Sequence, residues 1–192
     1  MADLFFKHGV MGSGKTTELL QAIYNYKKNN LNIILIKPKL DKKGEDSIVS
    51  RLGDKKKVDI LLDSNEKIID KLDLNTLKCI LVDESQFLTK KQVKELWLIT
   101  KLYDIPVICY GLMTDFKCEF FTGSKALIEL SDQVSEITTI CSCGEIAKFS
   151  ARKINGEYTL KGDVVAIDKI DAEYEAICPE CYIKKVIKKK KV

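Results

Sequence analysis

Eight consecutive residues near the N-terminus, Gly9-Val10-Met11-Gly12-Ser13-Gly14-Lys15-Thr16, satisfy the pattern G-x-x-x-x-G-K-[ST] at every fixed position. Such a run is a phosphate cradle. Its glycines let backbone N–H groups wrap around the β- and γ-phosphates of ATP, Lys15 adds a point charge, and the Thr16 hydroxyl is offered to Mg²⁺. Gly9, Gly12, Ser13, Gly14, Lys15 and Thr16 are therefore the expected nucleotide-binding residues. Phosphoryl chemistry on such a loop needs a second metal anchor, usually an acidic residue closing an apolar strand, and Ile80-Leu81-Val82-Asp83 provides one. Glu84 follows directly and projects differently from Asp83, so it can accept a proton from an acceptor hydroxyl near the γ-phosphate. The other use for either carboxylate is to cap the following helix. His8 is the only histidine, which leaves little for histidine acid–base chemistry, and it is read as structural.

Four of the seven cysteines form two close pairs, Cys141-Ser142-Cys143 and Cys178-Pro179-Glu180-Cys181, separated by 34 residues. In a reducing compartment paired cysteines indicate metal before disulfide, and four thiolates make a closed, structural Zn²⁺ site. The first pair has one intervening residue where two is usual, and Gly144 gives the backbone room to adapt.

The elements that must position these groups are legible as periodicity. Residues 4–10 are a short apolar run ending at the glycine loop, and residues 16–29 carry Leu19, Ile23 and Tyr26 at helical spacing. Residues 32–37 (NIILIK), 79–83 (CILVD) and 107–111 (VICYG) are compact β-rich runs without alternation, as expected of strands covered on both faces. Residues 90–103 place Val93, Leu96, Ile99 and Tyr103 on one helical face, which makes a right-handed crossover between two parallel strands. Residues 41–54, rich in charge and glycine, read as an exposed loop. After Thr139 short β-like pieces (147–153, 158–160, 164–167) are separated by Asn155-Gly156 and Gly162-Asp163 turns. The expected fold class is α/β, a P-loop NTPase-like parallel sheet flanked by helices with a small C-terminal zinc-stapled β subdomain. The expected divisions are residues 1–139, 140–183 and a mobile basic tail, 184–192.

Composition narrows the function. The net charge is +4, but six of the 32 basic residues are lysines within residues 184–192, and without them 26 basic face 28 acidic ones. A slightly acidic body is not a nucleic-acid footprint. No apolar run approaches the ~18 residues of a membrane span and the N-terminus lacks signal-peptide order, so a cytoplasmic protein without membrane or nucleic-acid partners is expected.

The phosphate loop, Asp83-Glu84-Ser85-Gln86-Phe87, Gly111-Leu112-Met113-Thr114-Asp115-Phe116 and the cysteine-framed tail, in that order, resemble the thymidine kinase family of the compact, zinc-containing type over nearly the whole chain. The resemblance implies ATP- and Mg²⁺-dependent phosphorylation of the 5'-hydroxyl of thymidine for DNA precursor salvage, with Glu84 as the base and Asp83 as the Mg²⁺ anchor. It also implies a thymine pocket formed by Met11, Phe87, Leu112 and Phe121, and a loop over residues 164–174, with Ile167 and Tyr174, closing over the nucleoside. Ser150 and Arg152 match the family's S/T-x-R segment and are further substrate-binding expectations; otherwise they are a polar strand edge. A homotetramer with thymidine triphosphate as feedback ligand is implied as well.

The sequence departs from the family pattern at Met113, at Cys118-Glu119-Phe120 and in the short first cysteine pair. After Pro38, an arginine commonly follows the aspartate; here Asp41 is followed by Lys42 and Lys43, with Arg51 later. Two alternatives stand beside this reading: a P-loop kinase for another deoxynucleoside, and a zinc-ribbon nucleic-acid-binding ATPase.

Overall fold

The computed structural model describes residues 1–41, 46–50, 53, 55–164 and 172–188. Six strands build one sheet: β1 (Leu4–His8), β2 (Ile33–Pro38), β5 (Ile60–Leu62), β6 (Cys79–Val82), β7 (Val107–Gly111) and β8 (Gln133–Glu136). Their order is β5-β2-β6-β7-β1-β8, and every pairing is parallel. The uninterrupted apolar runs follow from this topology, because helices cover both faces. Helix α1 (Lys15–Lys28) lays Leu19 and Ile23 against Leu35, Leu81 and Tyr110. Helices α2 (Lys90–Tyr103) and α3 (Thr122–Leu130) close the other face, where Val93, Leu96, Ile99 and Leu127 meet Leu4, Phe6, Ile80 and Val107. Thr89 opens α2 with a capping box shared with Gln92.

Five strands and helices of the main body went unread in the sequence, β5 among them. Strands β3 (Ser47–Val49) and β4 (Lys55–Lys57) pair antiparallel within and just beyond the stretch expected to be a loop. Ile48 anchors them; it is 2% exposed and joins the core beneath α1. Helix α3 follows the glycine-containing turn after β7. Strand β8 has no apolar pattern, since all four of its residues are exposed, and only its hydrogen bonds to β1 make it a strand.

The small subdomain is a second sheet, β10-β9-β11, of β9 (Phe149–Ile154), β10 (Glu157–Tyr158) and β11 (Ala172–Ile177), followed by the short helix α4 (Pro179–Tyr182). Among the described residues its third strand is β11, beyond the expected piece at 164–167. Val164 lies outside any strand, and residues 165–167 lie outside those described. The core contains Cys141, Ala147, Ala151, Ile177, Cys178, Tyr182 and Val186, with Val10 of the glycine loop packed on it. A π-helical turn over Ile183–Ile187 buries Val186, so ordered packing continues past residue 184, where the lysine tail was expected to begin. Among the described residues no helix is long and apolar enough to cross a membrane.

Candidate active site

A wholly parallel sheet brings the C-terminal ends of its strands to one edge, and the chemically capable residues follow those ends. The glycine loop leaves β1 and the two carboxylates leave β6, with β7 between them. The turn after β7 bridges the two. The Gly9 N–H donates to the Gly111 carbonyl at 3.3 Å, and the Leu112 N–H donates to Gln86 Oε1 at 3.0 Å.

Gly12 and Gly14 take left-handed φ values of 83° and 91°, which L side chains rarely adopt. Gly9 is required for space, because a Cβ there would lie 2.4 Å from the Ile137 carbonyl oxygen. Lys15 is 9% exposed, and its ammonium donates to the carbonyls of Gly9 and Val10, both at 2.9 Å. The Ser13 hydroxyl is buried with no hydrogen-bond partner. An orphaned hydroxyl, a lysine folded onto the loop and the N-terminus of the 14-residue α1 together fit a triphosphate, whose oxygens would satisfy all three. Thr16 stands half-buried in the first turn of α1.

Asp83 is 5% exposed and accepts the Glu84 N–H at 3.0 Å. Burial, reinforced by the neighbouring Glu84 charge, pushes the Asp83 carboxyl up to about 7. At the adjacent strand end Lys37 is 1% exposed; its ammonium lies 2.9 Å from Asp41 Oδ2 and 3.3 Å from the Ser47 carbonyl. Sequence reading did not assign Lys37 to the site, although a lysine ending an apolar strand beside an acidic one is a usable signal. Lys42, Lys43 and Arg51, the other cations considered, lie outside the described residues. Glu84 has φ 48° and ψ 39°, a left-handed conformation that is unfavourable for a non-glycine residue. Its Oε2 accepts from Gln86 Nε2 at 2.5 Å.

Beside the glycine loop a cleft of about 350 Å³ is lined by Gly9, Val10, Leu112, Met113, Thr114 and Ser150, with His8, Glu136, Lys148 and Phe149 completing the wall. Of the residues expected to bind substrate, Leu112 and Ser150 line this cleft. Met11 is tied to the same place through its backbone, since its N–H donates to Ser150 Oγ at 3.0 Å. Phe87 and Phe121 meet edge to face, with centroids 5.7 Å apart. Arg152 is placed differently. It is 2% exposed, stacks 4.8 Å from the Phe116 ring centroid, and donates from Nη1 to the Asp163 carbonyl at 2.8 Å. Tyr174 is Arg152's partner across the β9–β11 pairing. Ile167, and with it residues 165–171 of the expected closing loop, lies outside the described residues. Burial lowers the His8 pKa, with Glu136 opposing the effect and Lys148 and Lys15 adding to it, which favours the neutral imidazole.

The four paired cysteines converge, with their sulfur atoms all within 4.8 Å of one another. Cys143 Sγ and Cys178 Sγ are 3.6 Å apart, close to the ~3.8 Å between sulfurs in a tetrahedral site with Zn–S bonds of ~2.3 Å. The short first pair is accommodated by a tight turn. The Gly144 N–H donates to the Cys141 carbonyl at 2.9 Å, the Cys141 N–H to the Glu145 carbonyl at 2.8 Å, and Gly144 has φ 95°. This set could hold a metal ion. Cys79 and Cys109 are buried in the main sheet, while Cys118 is exposed, with its thiol 3.4 Å from the Tyr182 hydroxyl.

A family model described as Thymidine kinase matches residues 2–182 of the chain. The thymidine kinase of Shewanella oneidensis is 39% identical over 185 residues, covering 93% of this chain and 95% of that one. The thymidine kinase of Pasteurella multocida is 38% identical, with coverage of 97% and 99%. Among solved structures, the Pif1 helicase from Candida albicans superposes on 72% of this chain and 36% of its own, with a TM-score of 0.45 at 17% identity.

Proposed function

The chain belongs to the thymidine kinase family and is a phosphotransferase that phosphorylates thymidine, and we propose that Glu84 is the base and Gly9 to Thr16 the ATP cradle of that reaction. The observation that carries the assignment is the bridge across β7: one turn, Gly111-Leu112, bonds to the phosphate cradle on one side and to the Glu84 turn on the other. Glu84 takes the proton from the 5'-hydroxyl, the hydroxyl oxygen forms a bond to the γ-phosphorus, and the bond from that phosphorus to the β–γ bridging oxygen breaks, releasing ADP. Lys15 and the loop amides stabilise the charge that develops on the phosphoryl oxygens. Thr16 and Asp83 would hold Mg²⁺, which neutralises phosphate charge when bound. Leu112 and Ser150, with Met11, Phe87, Phe121 and Tyr174, are read as the walls of the nucleoside site. The position of Arg152 supports a different part for it, fixing the chain at Asp163. The cysteine cluster is read as a structural Zn²⁺ site, having no ligand position left open. The same reading includes a cytoplasmic homotetramer inhibited by thymidine triphosphate.

Incubation with ATP, Mg²⁺ and, separately, thymidine, deoxyuridine, deoxycytidine and deoxyadenosine tests the acceptor. Thymidine monophosphate is expected as the leading product. A monophosphate formed faster from another nucleoside would reassign the acceptor while leaving the cradle in place.

Asp83 gives a pH dependence. Its carboxyl is neutral below about 7, and only the charged form binds a divalent cation, so affinity is gained as pH rises through that value. Calorimetric affinity for Mg²⁺–ATP should increase about tenfold between pH 6 and pH 8, beyond the change shown by Asp83→Asn. Parallel profiles for the two proteins would contradict the assignment.

A further inference from the structure

We propose that Gln86 is a positioning residue for the reaction, fixing the Glu84 carboxylate and tying it to the wall of the cleft at Leu112. The proposal rests on the reading of Glu84 as the base. Gln86 is 2% exposed in the turn Ser85–Phe87, and both ends of its amide are engaged. Its Oε1 accepts the Leu112 N–H at 3.0 Å, which obliges the NH₂ end to face Glu84, where it donates to Oε2 at 2.5 Å. The amide orientation is thus set by a backbone donor 26 residues away and not by its immediate neighbours.

The surroundings leave this side chain no alternative. A Cβ at Gly111 would sit 2.7 Å from Gln86 Oε1. A Cβ at Gly123, in α3, would sit 2.6 Å from the Ser85 carbonyl oxygen, 2.7 Å from that of Gln86 and 2.8 Å from that of Leu88. Two missing side chains therefore let β7 and α3 close on a turn that already holds Glu84 in a left-handed conformation. Glu84 itself is only half-buried, and without the Gln86 donor its carboxylate regains the rotamers of a surface glutamate. Loss of alignment at a reacting group costs on the order of a hundredfold in rate for about 1 Å.

A double-mutant cycle separates positioning from support of the fold. Gln86→Met keeps the side-chain length and removes both hydrogen bonds. The expected kcat, per site that binds Mg²⁺–ATP in calorimetry, falls about 10–100-fold with KM for ATP within about twofold. In a Glu84→Gln background the same substitution should cost nothing further, because its effect runs through a carboxylate that is no longer there. Losses that multiply, or a Gln86→Met enzyme with wild-type kcat per site, would overturn the proposal while leaving the base assignment intact. Full turnover in Glu84→Gln alone would overturn both. If Gln86→Met does not fold, Gln86→Glu carries the same cycle. It retains the volume and the acceptor for Leu112 but replaces the donor with an oxygen that donates only while protonated, and wild-type kcat held in that variant up to about pH 9 would equally sink the idea.

Discussion

Glu84→Gln is expected to lower kcat by about 10³-fold, within the 10²–10⁴ range for loss of a positioned general base, while calorimetric affinity for Mg²⁺–ATP changes less than about threefold. The two readouts separate because the groups proposed to hold the triphosphate lie on another strand. Lys15, the glycine amides and Ser13 belong to the loop after β1, and Glu84 follows β6, with β7 between. The amide is isosteric and keeps an acceptor for Gln86 Nε2, so the turn is not disturbed sterically. A single-turnover experiment with rapid quench should place the whole loss on the chemical step. A kcat within a factor of about three of wild type would remove Glu84 from the mechanism.

Cys178→Ser is the second large effect. Cys178 is 2% exposed and lies in the core of the small subdomain as well as in the four-sulfur cluster. A structural Zn²⁺ contributes binding energy that is folding energy, on the order of 10 kcal/mol in small zinc domains, and the three-stranded sheet has few other buried side chains to replace it. Elemental analysis should find the metal lost. Hydrogen exchange should then show residues 141–164 and 172–187 unprotected while the six-stranded sheet stays protected. The damage should reach the active site unevenly. Ser150 of the cleft wall and Tyr174 stand on this subdomain's own strands, whereas the cradle receives from it only the Met11 N–H bond to Ser150 and the packing of Val10, so thymidine affinity falls by more than tenfold and ATP affinity by only a few-fold. Prolonged chelation of the wild-type protein should reproduce the pattern. Retention of stoichiometric metal in Cys178→Ser would show that the cluster is not the site.

Groups whose placement depends on contiguous backbone could be located in the chain. Wrapping a phosphate takes glycines and a lysine at fixed offsets within one turn, so residues 9–16 could be assigned without knowing what surrounds them. Asp83 and Glu84 were placed by the apolar run before them, because a buried parallel strand cannot carry a carboxylate until it emerges at the sheet edge. The paired cysteines were found by residue type and spacing alone.

What depended on partners distant in sequence was not readable. Lys55–Lys57 and Gln133–Glu136 have no strand-like side-chain pattern and become strands only because an edge is available to pair with. Gln86 could be quoted as part of a motif, yet its orientation depends on Leu112, and the space around it on Gly111 and Gly123. Arg152 was expected at the substrate from its match to the S/T-x-R segment, and its stacking on Phe116 and bond to the Asp163 carbonyl could not be read from that match. In each case the side chain's chemistry is set by its residue type, but what it acts on is set by neighbours that only the fold brings within reach.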